Sequence, residues 1–450
     1  KGVVIDTSVH LKDIIQVGVK DKLVHVQPGI SLEEVNTVLK WQGLVLPGAI
    51  SYVSKQISVG GAIATDSVGA NGSVADNIDR LEVVLANGDV IETGKVNRRE
   101  ISKKLGLQTF EGEIYRKLEG LLEDNEAVIK QLADDTTRDN TGYKRISEVR
   151  GKDGSFNLTP LFIGSQGTLG VISEVVLKTS FYSQDETHAV IVADSIQTAR
   201  DLSERLIELS PDELTIYDGT LFRRAAKQGA KFAAIGSVDQ VGAVIYLRFN
   251  DFKDRVQSQK LKKLKKLLSK INMGMVDSTE RDALDFKAIT NVIQTTQFGA
   301  ADEHVSVPLI DGASVPSNRR EEFEIALGEL AAKHHVELPI VMNAYAGTYD
   351  IYPILKLDSV GDKQKLFKLM ADYAVVIDRC GGAFTSDGAE GRLKANAAWA
   401  VLDDEHAALY DQVRKIFDPF GTLNPGVKQK GDLRTLVAAL RSSYDTASAV

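Results

Sequence analysis

Apolar positions change their spacing several times along the chain, and each change predicts an element. Leu32, Val35, Val38 and Leu39 recur at helical spacing behind Ser31, with Glu34 three residues on. That capping-box signature predicts a helix from Ser31 to about Trp41. It follows a strand over Leu23-Val-His-Val-Gln27 and a Pro28-Gly29 turn. Gly2-Val-Val-Ile-Asp6 reads as a further strand at the start. Asp79 to Ile91 reads as two strands joined by an Asn87-Gly88 hairpin turn. A polar, helix-forming stretch from about Arg98 to Asp139 shows no chemistry and reads as surface helices. The β-branched run Val171, Ile172, Val175, Val176 then predicts a buried strand.

From about Thr187 the pattern becomes an alternation of strands and helices. Strands are predicted over Ala189–Ala193, Gly242–Phe249, Glu337–Asn343 and Ile351–Leu357, with a helix over Ser195–Leu209. Lys260 to Lys270 reads as a helix with Leu261, Leu264, Leu268 and Ile271 on one side. Its lysine face is explained by solvent, and contact with a membrane surface is the weaker reading. A helical tail is predicted over Leu433–Tyr444.

At 450 residues the chain has room for two cores. Hydrophobic content of 43% and charged content of 26% are those of a globular protein, and a net charge of −8 argues against a nucleic-acid partner. The one cysteine, Cys380, rules out an intrachain disulfide, and a cytoplasmic, reducing compartment is the simpler reading. No apolar run is long enough for a transmembrane segment.

Three segments carry candidate chemistry. Gly164-Ser-Gln-Gly-Thr-Leu-Gly170 leads into the Val171 strand, Ser58-Val-Gly-Gly-Ala-Ile-Ala-Thr-Asp-Ser-Val-Gly69 precedes the hairpin, and Phe417-Asp-Pro-Phe-Gly-Thr-Leu-Asn-Pro-Gly426 lies near the end. Glycine belongs where backbone must approach something closely. In this order the segments resemble the FAD-binding flavoproteins of the p-cresol methylhydroxylase and vanillyl-alcohol oxidase superfamily, most nearly the D-lactate dehydrogenase and glycolate oxidase branch. The resemblance implies an α+β, two-domain FAD-linked oxidase fold: a flavin domain, and a cap domain with an antiparallel sheet and helices on one face. The expected divisions are 1–182 for the FAD-binding domain, 183–400 for the cap and substrate domain, and 401–450 for a segment returning to the flavin domain. Resembled chains carry a glycine-rich loop and a small subdomain ahead of the first strand. Neither is present before Gly2, so the expectation is that further sequence precedes Lys1.

FAD is the implied cofactor; the competing dinucleotide fold would need a strand–GxGxxG–helix unit, which is absent. Gly60, Gly61 and Gly69 are expected to bring backbone N–H groups to it, with Thr65 and Ser67 as hydroxyl donors. By motif match, Gly164, Gly167, Thr168, Gly170 and Val171 would line the adenosine side, and Asn424 would lie near the flavin ring.

The resemblance also implies a catalytic strand and loop bearing histidines and a glutamate that bind metal and act as base. Here Tyr345 and Tyr352 stand at the histidine positions, Asp350 at an asparagine position, Asp387 at the glutamate and Gly388 at a histidine. One carboxylate without imidazole makes a poor transition-metal site, so no catalytic metal is expected. The candidate catalytic residues are Tyr345, Asp350, Tyr352 and His304, with Arg392 as an anion anchor. The tyrosines also suit plain burial, and His304 a structural role at a strand edge.

The expected function is FAD-dependent dehydrogenation of a small alcohol or 2-hydroxy acid, with electrons passing to a quinone, oxygen or an electron-transfer protein. The alternatives are a flavin-binding protein that has lost catalysis, and a flavin reductase with an unlike substrate.

Overall fold

The computed structural model describes residues 2–48, 57–135, 137–183, 186–251, 253–278, 281–297, 304–306 and 310–440. Two antiparallel sheets organise them. The first has five strands in the order Ile14–Gly18, Leu23–Val26, Val171–Lys178, Ile78–Val84, Val90–Glu92. Its centre is the predicted Val171 strand, flanked by partners from far upstream: Val26 opposes Val175 and Val83 opposes Ile172. The second has seven strands in the order Val276–Asp277, Thr187–Ala193, Ala243–Phe249, Glu213–Asp218, Ile340–Asn343, Thr348–Ile351, Ile310–Ser314.

Local signals explain most boundaries. The helix Leu32–Trp41 is capped by Ser31, whose Oγ accepts the Glu34 N–H at 3.2 Å while Glu34 accepts the Ser31 N–H at 3.0 Å. In the hairpin, Gly88 takes the left-handed conformation (φ 88°) that a side chain would resist. The polar stretch forms three helices, Arg98–Leu105, Phe110–Asp124 and Glu126–Asp134. One expectation fails: residues 2–6 form no strand. Val3 and Val4 are exposed, and Asp6 instead caps a short helix, Thr7–His10. Apolar β-branched residues make a strand only where another strand offers a ladder, and none of the described residues pairs there. The predicted strand at 351–357 is also divided, into Thr348–Ile351 and Ile354–Leu355. Of the predicted C-terminal helix, Leu433–Ala439 is observed, and 441–444 fall outside the described residues.

Alternation sets the two faces of the larger sheet. Ala189, Ile191, Leu214, Ile216, Ile245, Leu247 and Met342 face a core shared with Leu264, Phe323, Leu327 and Leu366 of the long helices. On the other face Val190, Tyr217, Val244, Val341 and Tyr352 pack with Leu221, Phe222, Phe286 and Ile293 of shorter helices. These cover only part of it, so helices lie on both faces of this sheet and not on one as expected. The lysine-rich helix is Asp254–Lys270; Leu264 and Leu268 are buried, and Lys260 and Lys265 pair with Asp251 and Asp277, each at 2.8 Å. Its charge is thus partly engaged within the chain. Among the described residues no helix is long and apolar enough to cross a membrane. The helix Asp404–Phe417 returns to lie against Phe110–Asp124, and Phe417 meets Phe162 edge-on at 5.6 Å.

Candidate active site

The three glycine-bearing segments meet. Residues Val59–Thr65 form a short helix capped by Ser58, and Asp66 ends it in the left-handed conformation (φ 51°). The last carbonyls of a helix have no partner within it. Here Ile63 O accepts the Gly164 N–H at 2.9 Å and Ala64 O accepts the Gln166 N–H at 2.8 Å. Gln166 O in turn accepts Asn424 Nδ2 at 2.7 Å, so the C-terminal motif closes on the same loop.

Several expected cofactor residues are engaged within the chain. The N–H groups of Gly60, Gly61 and Gly69 donate to Pro28 O (2.8 Å), Ser58 Oγ (3.1 Å) and Gly72 O (2.6 Å). A Cβ on Gly60 would stand 2.6 Å from Pro28 Cβ, and one on Gly170 would stand 2.4 Å from Val83 Cγ1, so packing alone demands glycine there. Thr65 Oγ1 donates to Gly61 O at 2.8 Å and lies 2.8 Å from Ser67 Oγ. Buried Thr168 bonds Ser165 O at 2.7 Å and Tyr143 OH at 2.6 Å, and half-buried Val171 opens the central strand.

Space for a dinucleotide exists on the other side of the loop. Gly167 (φ 69°), Gly388 (φ 67°) and Gly391 (φ 55°) all have left-handed backbone, and a Cβ on any of them would meet nothing nearer than 3.8 Å. Gly391 donates its N–H to Gln166 Oε1 at 3.3 Å, which holds two of these glycines side by side. Asn140, beside Gly164, has a buried Nδ2 without a partner among the described residues. An open glycine cradle and an unsatisfied buried amide fit a ligand rich in acceptors, as FAD is.

Asp350 and Asp387 bracket Gly312. Its N–H donates to Asp350 Oδ1 at 2.9 Å, and its carbonyl accepts the Asp387 N–H at 2.8 Å. Asp387 Oδ1 also accepts the Val68 N–H of the glycine-rich run at 2.8 Å. Burial first, then the neighbouring Asp387, pushes Asp350 up to about 8; burial pushes Asp387 up to about 6. Lys394, 3.0 Å from Asp311, is the nearby ammonium. Of the other candidates, Tyr352 feels the charge of this pair, and the remaining ones are engaged elsewhere. Tyr345 donates its hydroxyl to Pro211 O, and burial raises it to about 12. Tyr352 is packed among Tyr217 and Phe222, and burial raises its hydroxyl far above the usual range. The His304 carbonyl accepts Arg224 Nη2 at 2.5 Å, and exposed Arg392 donates to Pro425 O at 2.8 Å. Among the described residues no group of three or more His, Cys, Asp or Glu side chains could hold a metal ion.

A second constellation lies on the open part of the same sheet face. His188 opposes Arg248, Arg248 opposes Glu213, Tyr246 opposes Thr215 and Thr215 opposes Asn343. Asn343 Nδ2 reaches the flavin side, donating to Gly69 O at 2.8 Å. The strip forms one wall of a cleft of about 490 Å³ whose opposite wall includes Leu46, Pro47, Gly48 and Asn71. His188 Nδ1 lies 2.9 Å from Tyr246 OH, and burial holds the imidazole below its usual range. Arg248 meets Glu213 at 3.2 Å and Glu186 at 3.5 Å. Sequence reasoning missed these residues. Alternation within 187–193 and 243–249 puts each on a face, but only strand pairing brings them together.

A family model described as an FAD binding domain matches residues 1–94, and one described as FAD linked oxidases, C-terminal domain, matches residues 183–427. D-2-hydroxyglutarate dehydrogenase of Haemophilus influenzae is 24% identical over 98% of this chain and 45% of its own length. Glycolate oxidase subunit GlcD of Bacillus subtilis is 23% identical over 95% of this chain and 80% of its own. The chain thus spans about half the length of the D-2-hydroxyglutarate dehydrogenases it matches. Among solved structures, 4-ethylphenol oxidase from Gulosibacter chungangensis superposes with a TM-score of 0.65 at 12% identity, covering 95% of this chain and 80% of that one. p-Cresol methylhydroxylase gives 0.62 at 12% identity, covering 93% and 78%. At such identity these two speak for the fold, which is the two-domain, flavin-plus-cap arrangement expected from sequence. With more than half its length matched by one family model, and its glycine loops gathered around an open cradle, this chain belongs to the FAD-linked oxidase family.

Proposed function

We propose that the chain is the flavin- and substrate-binding part of a dehydrogenase acting on the CH–OH group of a small 2-hydroxy acid. The observation that carries this reading is the meeting of the glycine loops with the polar strip of the cap sheet, joined by Asn343 and Gly69. The names of the matched relatives, D-2-hydroxyglutarate dehydrogenase and glycolate oxidase subunit, support the substrate class.

FAD, when bound, supplies a two-electron acceptor for the hydrogen leaving the substrate carbon. Gly167, Gly388, Gly391 and Asn140 would hold it, with Asn424 fixing the Gln166 loop. The chain's remaining task is the hydroxyl proton, which needs an acceptor within hydrogen-bond reach. Asp387 stands beside Val68, and burial pushes both it and Asp350 up toward neutral pH. Tyr345 and Tyr352 position backbone and core.

A second reading has one observation in its favour. Both tyrosines at the motif's histidine positions are committed to structure, as in a flavin-binding protein without turnover. An anaerobic visible spectrum separates the two. Bleaching of bound flavin by D-lactate, glycolate or D-2-hydroxyglutarate is the expected result. A flavin that stays oxidised with every 2-hydroxy acid would sink the dehydrogenase reading.

A further inference from the structure

We propose that the cleft beside His188 is the substrate site, with Arg248 holding a 2-hydroxy carboxylate and His188 taking the hydroxyl proton. The inference rests on the dehydrogenase reading above and moves acid–base chemistry away from the motif positions to the far end of the same sheet face.

Pairing fixes the arrangement. His188 and Arg248 are direct cross-strand partners on one face, so their side chains start about 5 Å apart. Tyr246, two residues from Arg248, shares that face, and its ring lies 6.1 Å from the imidazole. Phe286 stacks at 5.5 Å, inclined by 26°. The imidazole is therefore fixed in plane and direction. Arg248 is fixed as well: Glu213 takes its Nε and Glu186 approaches its Nη1. Among the described residues no hydrogen bond engages Nη2, and Arg248 lines the cleft. A guanidinium held on two sides presents its third to a carboxylate without losing side-chain freedom on binding.

The atoms balance. With Nδ1–H donating to Tyr246 OH, Nε2 carries the lone pair that accepts the substrate hydroxyl proton. The C–O bond becomes C=O as the carbon's hydrogen leaves with two electrons to the FAD oxidant. The imidazolium formed lies 3.8 Å from Glu186 through Nε2, which stabilises it. Asp212, Glu213, Lys40 and Lys287 are the other charged groups around the cleft, the two lysines at its exposed rim.

The test uses the full chain with FAD and a probe that binds without reacting: 2-hydroxy-2-methylpropanoate, whose carbinol carbon bears no hydrogen. Calorimetry should show binding that weakens at least about tenfold in Arg248→Met and also in Arg248→Lys, which keeps the charge against Glu213 but loses the fork. His188→Gln should bind the probe within about threefold of the parent while flavin bleaching by the true substrate slows about 10²–10⁴-fold. Unchanged probe binding in both Arg248 variants overturns the carboxylate site, and bleaching at the parental rate in His188→Gln overturns the base. Arg248-dependent binding with no bleaching by any 2-hydroxy acid overturns the dehydrogenase reading and the His188 step together, leaving the carboxylate site. Bleaching without probe binding overturns the site alone.

Discussion

Asp387 accepts the backbone N–H of Val68 at 2.8 Å across 319 positions of sequence. One carboxylate thereby joins the glycine-rich run to the loop that also holds Gly388 and Gly391. Because Asp350 stands on the other side of Gly312, the two acids feel each other's charge and resist ionising together.

That resistance gives a pH-dependent stability. Both acids titrate above the unfolded value of about 4. Their stabilising share is complete below about 4 and drains away as pH rises toward about 8. Asp350→Asn keeps an oxygen for the Gly312 N–H and removes the charge. It should raise stability at both values, and by at least about 1 kcal/mol more at pH 8 than at pH 5. Thermal melts at the two values check this, and an effect independent of pH would count against it.

Lys428 and Glu390 form an ion pair at 2.9 Å with both side chains fully buried, and Glu390 also accepts Trp399 Nε1 at 3.1 Å. Removing one partner leaves an unpaired buried charge. Lys428→Met should cost about 3–5 kcal/mol, and the added change Glu390→Met should restore part of it. Urea unfolding of the single and double variants measures the coupling; additive losses would contradict it.

Gly142 has φ 61°, and a Cβ there would lie 2.0 Å from Tyr410 Cδ2. Gly142→Ala combines backbone strain with overpacking and should destabilise by about 2–4 kcal/mol. Gly120→Ala, with nothing within 4 Å of the added carbon, is the matched control and should be neutral or slightly stabilising in the same melts.

Burial lowers His188, Glu186 partly offsets this, and Arg248 adds to it. The neutral, proton-accepting form should therefore persist to below pH 6.5, and flavin reduction should fail only beneath that value. Glu186→Gln removes the offsetting charge, so the acid limb should move further down. Stopped-flow reduction rates across pH decide it, and an upward move would be the wrong sign.

Local chemistry was legible in the sequence, and partnership was not. The Ser31 cap, the Asn87-Gly88 turn and the Val171 strand depend on neighbours a few residues away, and all three stand as read. The glycine segments pointed to a flavin site, yet their division of labour was hidden. Whether Gly60 meets Pro28 and Gly167 meets open space depends on tertiary packing. The same holds for Tyr345, whose hydroxyl finds Pro211 O 134 positions away, and for Gly2–Asp6, which have strand-forming residues and, among the described residues, no strand to join.

The hydrogen bonds from Gly164 and Gln166 to Ile63 and Ala64 have a consequence for variation in length. They clamp both ends of the intervening stretch, which includes the three helices of 98–134. A clamped excursion can grow or shrink at small entropic cost, since closure entropy rises only with the logarithm of its length. Insertions among those helices would leave the cradle undisturbed, making this stretch the place where such a chain can acquire new surface without retuning its redox site.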